Sequence, residues 1–296
     1  MKIRRIGDEW KEKYGEKIYK LSLATGCTCP NRDGSKGVGG CIFCSEKGSG
    51  DFARYSRDDL TRRIRQAKEL VKAKGATKYV AYFQSFTNTY GKAERLEPLF
   101  TRAAMEDDIV EVSIATRCDC LGDDILDMLE RIAKIKPLTV ELGLQSMHRE
   151  TLERINCKYT LEEFDDAIRH LKERNITTVA HLILGFPWES REQMIESARH
   201  VGEVGADGVK LQLLHVLKGT KLGEEYQKQP FRILTLEEYT SIVVDCLKAM
   251  PADMVIHRLT GDGSRKDLLA PMWSTDKKRV LNTINRRIER AERRYG

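Results

Sequence analysis

Eight cysteines stand at positions 27, 29, 41, 44, 118, 120, 157 and 246. Cys27, Cys29, Cys41 and Cys44 fall within 18 residues, and Cys41-x-x-Cys44 brings two thiolates within reach of one metal centre. Glycines at 34, 37, 39, 40 and 48 share the stretch and permit the tight, partly left-handed turns of a backbone wrapping a bound group. Spacing alone leaves two chemistries open. A zinc site would use all four thiols, the usual tetrahedral number. An iron–sulfur cluster would use three and leave one iron open to another ligand. Cys118 and Cys120 form a looser pair, while Cys157 and Cys246 read as ordinary buried thiols.

The elements around these residues alternate. Strands are expected at 19–25, 78–84, 109–115, 138–144, 177–184 and 208–214, each followed by a helix or helical pair. The first helix carries the stripe Leu60, Ile64, Ala67 and Val71, with Ser56 as its cap. Three capping boxes, Thr160/Glu163, Ser190/Gln193 and Thr235/Glu238, open the later helices. A short strand at 253–257 and a basic helix at 277–294 complete the series. This alternation predicts an α/β fold, an incomplete (β/α)6 TIM-type barrel. No G-x-G-x-x-G follows the first strand, so the dinucleotide fingerprint is missing. Residues 1–17 are expected to form a basic N-terminal extension, 18–250 the partial barrel, and 251–296 a C-terminal extension ending in the basic helix. Chemistry in such barrels sits at the C-terminal ends of the strands. The cysteine loop follows the first strand, a position that favours a catalytic centre over peripheral structural zinc.

Composition sets the outer bounds. The 296 residues are 41% hydrophobic and 32% charged, enough apolar material for a large core and unlike a disordered chain. The longest apolar stretch, Val179 to Phe186, is too short to span a membrane. The charged first residues lack a signal-peptide apolar region, which predicts a cytoplasmic protein. Net charge is +6 and unevenly placed: residues 276–296 hold eight Lys or Arg against three acids, and residues 1–20 hold seven against four. Either a solvated helix face or a phosphate-contacting surface would produce that bias.

The stretch CPNRDGSKGVGGCIFC resembles the cluster loop of the radical S-adenosylmethionine (SAM) superfamily. It resembles in particular the YhcC/YtqA-like branch, related to the radical SAM domain of the Elongator catalytic subunit and to oxygen-independent coproporphyrinogen oxidase. The likeness continues through AYFQSFTNTY (81–90), ATRCDC (115–120), ELGLQS (141–146), HLILGFPWES (181–190), VKLQLLHVLKGT (209–220) and HRLTGDGSRKDLLAPMW (257–273).

The resemblance implies that Cys29, Cys41 and Cys44 ligate three irons of a [4Fe–4S] cluster. S-adenosylmethionine would chelate the fourth iron through its amino and carboxylate groups. Reductive cleavage would then yield a 5′-deoxyadenosyl radical that abstracts hydrogen from the substrate. Cys29 is favoured over Cys27 because the ligand directly precedes Pro-Asn-Arg-Asp-Gly. Phe43 is expected near the adenine, Gln84 near the SAM amino group, and Thr116 and Arg117 at the end of the third strand. Cys118 stands where relatives carry proline. Glu141 suits either a ribose hydroxyl pair or a buried ion pair. Lys158, where relatives carry Arg-Gly-His, would face a carboxylate, and His181 is either a SAM contact or a hydrogen-bonded core residue. Gly185 to Pro187 would let backbone approach the nucleoside, and His215, Lys218 and Arg258 are substrate-side candidates. No residue is assigned to catalysis itself.

Relatives of this branch act on the wobble uridine of tRNA, and the branch is linked to remodelling a carboxymethylaminomethyl side chain towards aminomethyl. The resemblance therefore implies tRNA held through the basic termini and an electron donor such as flavodoxin or ferredoxin, with no membrane partner. The alternatives are a radical SAM enzyme acting on a small metabolite and, from another class, a zinc-stabilised nucleic-acid-binding module.

Overall fold

The computed structural model describes residues 3–46, 48, 59–261 and 265–295. Ten strands are present: β1 (Arg4–Arg5), β2 (Tyr19–Leu23), β3 (Tyr79–Phe83), β4 (Ile109–Thr116), β5 (Leu138–Gln145), β6 (Thr177–Leu184), β7 (Gly208–Leu213), β8 (Val216–Leu217), β9 (Val255–Arg258) and β10 (Leu268–Ala270). The helices are α1 (Ile6–Tyr14), α2 (Leu60–Val71), α3 (Ala93–Ala104), α4 (Asp123–Ile135), α5 (Arg149–Arg154), α6 (Leu161–Glu173), α7 (Arg191–Glu203), α8 (Lys221–Lys228), α9 (Leu236–Ala249) and α10 (Lys277–Tyr295).

Eight strands form one parallel sheet in the order β1-β9-β7-β6-β5-β4-β3-β2. It is curled into an incomplete barrel whose edge strands, β1 and β2, do not pair with each other among the described residues. The six strands expected from sequence are all present and run in chain order from β2 to β7. Residues 4–5 and 255–258, from the terminal segments, extend the same sheet. Helices pack on the outer face, so strands covered on both sides read as apolar runs. Every residue of β3, Tyr79-Val-Ala-Tyr-Phe83, is buried.

Local signals fix the helix starts. All three capping boxes form, each with its Ser or Thr side chain accepting from the third backbone N–H and its Glu or Gln returning the bond. The cap of α2 is Asp59, which accepts from Thr61 N and Arg62 N; Ser56 lies outside the described residues. Helix α1 was not expected. Its Trp10 packs with Ile18 and Val80, and Trp10 Nε1 donates to Glu111 Oε2 at 3.1 Å. The contact lies at the barrel end where the strands begin.

The opposite end, where the strands finish, carries the cysteine loop and a two-stranded antiparallel ribbon of β8 and β10. Helix α10 starts just after that ribbon and buries Val280, Ile284 and Ile288, packing on α9. Asn285, midway along it, accepts from Arg5 near the start of the neighbouring strand β9. The helix therefore runs from the mouth of the barrel towards its other end, and its 19 residues span about 28 Å. None of the described helices is long and apolar enough to cross a membrane.

Candidate active site

The cysteine loop is folded by its own backbone and held by two neighbours. Arg32 N and Asp33 N turn back onto the Cys29 carbonyl, and Cys44 N donates to Cys41 O at 3.0 Å, closing the turn between the last two cysteines. Arg32 then clamps the loop's end by donating to Cys44 O and Ser45 O. Gly40, at φ +77, is required here twice over: its backbone is left-handed, and a Cβ would stand 2.9 Å from Arg32 Nε. The segment after α5 straps the loop from one side. Ile42 N donates to Ile155 O, Asn156 Nδ2 to Gly40 O, and Asn31 Nδ2 to Asn156 O at 2.5 Å. The start of α8 holds it from another side, Leu222 N donating to Ile42 O at 2.9 Å.

Cys29, Cys41 and Cys44 all line one cavity of about 250 Å³ at the mouth of the barrel. Cys27 does not: it is buried, and Arg95 Nη2 donates to its sulfur at 2.8 Å. The Cys157 thiol contacts Cys41 and lowers its pKa to about 7 against the opposing effect of burial, with the Arg117 charge assisting. Burial and the neighbouring Cys41 push Cys44 up to about 11. Asn31 Oδ1 is buried without a hydrogen-bond partner among the described residues. Nor do any three His, Cys, Asp or Glu side chains, among those residues, converge on the position of a single ion. Three soft thiols sharing a cavity, with Cys41 lowered towards its thiolate, fit an iron–sulfur cluster.

The floor of this cavity is a buried ionic network centred on Glu141, which is fully inaccessible to solvent. Its Oε1 accepts from Lys20 Nζ at 2.7 Å and Ser113 Oγ at 2.9 Å. Its Oε2 accepts from Tyr82 OH at 2.9 Å, from Lys210 Nζ, and meets His181 Nε2 at 2.8 Å. Although burial opposes ionisation, Lys20, Lys210 and His181 together hold the carboxyl well below its usual range. His181 is lowered to about 4 by burial and by Lys210, so it is neutral near pH 7. Lys210 is lowered to about 7 by burial, against the pull of Glu141. Breaking such a buried set by removing one charge typically costs about 3–5 kcal/mol.

Most sequence-derived candidates meet at this cavity. Phe43, Gln84, Thr116, Arg117, Glu141, His181, His215 and Arg258 line it. Gln84 donates to Ser22 Oγ at 2.9 Å, and Thr116 shares a 2.5 Å hydroxyl contact with Thr89. Arg117 forks onto Asp119, with both contacts at 2.8 Å, and lies over the Tyr159 ring. Phe43 leans on Phe186, which stacks on Trp188. Three candidates stand apart: Lys158 and Lys218 are exposed and lie outside the lining, and so does the segment Gly185 to Pro187. Lys210, Tyr82 and Cys157 were missed, as was Lys20 behind them. Lys210 and Tyr82 lie inside strand runs that read as plain sheet, and only the register of the strands turns them inward together.

A second face bears on partners. Lys278, Arg279, Arg286, Arg290 and Arg293 are exposed along α10, and none has an acidic partner among the described residues. Some exposed helical arginines elsewhere are paired, as in Arg149–Glu153 and Arg169–Asp166, while Arg65, Arg154 and Arg199 have no acidic partner among the described residues.

An open parallel barrel with a triple-cysteine loop on its first barrel strand defines a class. The chain belongs to the radical SAM superfamily: it matches that family over residues 27–201 and the radical SAM C-terminal domain over residues 206–290. Members use a [4Fe–4S] cluster and S-adenosylmethionine. Among particular relatives, it is 41% identical over 280 residues to the uncharacterized protein YtqA of Bacillus subtilis, covering 94% of this chain and 87% of that one. A partial likeness, 26% over 156 residues, links 52% of this chain to 28% of the tRNA uridine(34) acetyltransferase of Methanocaldococcus jannaschii. In fold it resembles the archaeal Methanocaldococcus infernus Elp3, with a TM-score of 0.69 at 17% identity, over 93% of this chain and 63% of that chain.

Proposed function

We propose that this protein is a radical SAM enzyme that modifies the side chain of a tRNA wobble uridine, in the direction carboxymethylaminomethyl to aminomethyl. The observation that carries the reading is the row Lys278, Arg279, Arg286, Arg290 and Arg293 on α10, exposed and without acidic partners among the described residues. Their charge is not spent on neighbouring acids, so it is free to release counterions from a phosphate backbone. A face about 28 Å long suits a nucleic acid better than a small metabolite. The partial likeness to a tRNA uridine(34) acetyltransferase supports the same substrate class.

Cys29, Cys41 and Cys44 would hold the cluster, with Phe43, Gln84 and Thr116 facing S-adenosylmethionine across the cavity. When bound, the cluster and S-adenosylmethionine supply one-electron cleavage of a C–S bond and, through it, hydrogen-atom abstraction. Glu141, saturated by five donors, acts as the ion-pair anchor of the floor rather than as a ribose contact. It keeps Lys20 and Lys210 in fixed positions, and the closed floor excludes water from the reacting centre. His181, neutral and bonded to Glu141, completes that floor. An electron donor of the flavodoxin or ferredoxin kind would reduce the cluster.

The test is anaerobic: reconstitute with iron and sulfide, reduce, add S-adenosylmethionine, and measure 5′-deoxyadenosine with and without bulk tRNA. Production that rises with tRNA is the expected result. Production indifferent to tRNA sinks the substrate assignment, and bound zinc with no cleavage sinks the whole reading.

A further inference from the structure

At the bottom of the cysteine cavity two lysine side chains meet one carboxylate. Lys20 and Lys210 both bond Glu141, and no other acid joins them among the described residues. His181 and His257, the adjacent imidazoles, are held neutral by burial and by these lysines, so they leave the imbalance as it is. Glu141 has no acceptor capacity left, since five donors already crowd its two oxygens. Lys210 does have capacity. An ammonium carries three N–H donors; one goes to Glu141 and one to Tyr82 OH at 3.0 Å, and the described residues offer no acceptor for the third. Lys210 is 4% exposed and lines the cavity. Burial draws Lys210 down to about 7, so near neutral pH its charge is only partly held, and an incoming anion would stabilise the ammonium form.

We propose that Lys210, seated by Glu141 and Tyr82, is the docking point for a carboxylate carried by the substrate. The proposal deepens the reading above and rests on it, by specifying an anionic side chain over a neutral or purely cationic one. A carboxylate has two sources here, the substrate and S-adenosylmethionine itself. Position favours the substrate. The cysteine loop begins beyond the end of β2, at the mouth, whereas Lys210 meets Glu141 at the level of Lys20, near the start of that same strand. A carboxylate held beside the cysteines would lie towards the mouth, above the floor where Lys210 sits. Arg258, on β9 beyond β7, shares the lining on the Lys210 side.

The test uses the reconstituted full-length protein under anaerobic conditions. Propionate, N-methylglycine and dimethylamine are titrated by NMR or calorimetry into wild type, Lys210→Met and Lys210→Arg, with and without saturating S-adenosylmethionine. Both carboxylates are expected to bind, dimethylamine not to. Affinity for the carboxylates should fall about ten- to a hundred-fold in Lys210→Met. It should recover in Lys210→Arg, with S-adenosylmethionine affinity the same in all three. Equal propionate affinity in wild type and Lys210→Met overturns the proposal. So does displacement of propionate by S-adenosylmethionine, which would assign the site to the cofactor. Lys20 still neutralises Glu141 in Lys210→Met, and the Arg variant reports independently should the Met variant fold poorly. Lys210-dependent propionate binding alongside tRNA-indifferent cleavage would uphold the anion site while removing the tRNA reading.

Discussion

The side-chain amide of Asn31 donates to the backbone carbonyl of Asn156 at 2.5 Å, across 125 residues. One end of that bond lies two residues after Cys29 and the other one residue before Cys157. The cysteine loop therefore owes its shape to the segment after β5 as much as to its own glycines. Asn156 returns a bond to Gly40 O, so loop and strap are tied in both directions.

Gly40→Ala should loosen that arrangement. The substitution places a Cβ against Arg32 and forces alanine into a left-handed backbone, a cost of about 1–3 kcal/mol. Iron retained per chain after reconstitution should drop, while the thermal midpoint changes by only a few degrees because the barrel core is untouched. Full iron retention in this variant would show that the Arg32 clamp is dispensable.

The cysteines themselves separate cleanly. Cys29→Ala, Cys41→Ala and Cys44→Ala should each abolish cluster assembly, seen as loss of visible absorbance and of iron. Cys27→Ala should keep both, since its thiol faces Arg95 and not the cavity. Loss of iron in Cys27→Ala with retention in Cys29→Ala would reverse the ligand assignment.

On the outer face, Arg290→Glu with Arg293→Glu should weaken tRNA binding and leave S-adenosylmethionine cleavage intact. If each arginine meets one phosphate, the slope of log affinity against log salt should shrink by about 2. A slope equal to that of wild type would remove α10 from the interface.

Acid stability should carry the signature of His181. Its pKa is about 6.5 when unfolded and about 4 in the fold, so the unfolded chain binds more protons between those values. Stability therefore falls as pH drops from 6.5 to 4 and is insensitive to this group above 6.5. Glu141, held well below the usual carboxylate range, stays charged across that window. His181→Gln should weaken the dependence of the urea midpoint on pH over this range, by an amount on the order of 1–3 kcal/mol, leaving the share of His257, which burial also holds neutral. An unchanged slope would mean that another group carries the acid transition.

Some of this was legible from local chemistry alone. The capping boxes at Thr160, Ser190 and Thr235 all formed, because a cap needs only residues three apart. The loop cysteines cluster in the sequence, and Cys29, Cys41 and Cys44, which the resemblance implies as ligands, share the cavity lining. Helix α1 had a weak signal in Ile6, Trp10 and Tyr14 at helical spacing, lost among charges. The polar floor was not legible. Lys20, Tyr82, Ser113, Glu141, His181 and Lys210 come from six strands, β2 to β7, and no two are close in sequence. Only Glu141 and His181 attracted notice, each as a lone polar residue in an apolar run. Their meeting depends on strand register, which sequence periodicity leaves free.

The pairing of β1 with β9 has a kinetic consequence. Arg4 Nη1 donates to the carbonyl of Asp253, 249 residues further along the chain. Until the segment near 255 has been synthesised, β7 is an uncovered edge strand with open hydrogen-bonding groups, and Arg4–Arg5 has no partner. Contacts of such sequence separation are slow to form. Folding should therefore proceed from β2 towards β7 as the chain emerges and finish in one late event that docks both ends together. The half-made barrel is then the species most exposed to aggregation.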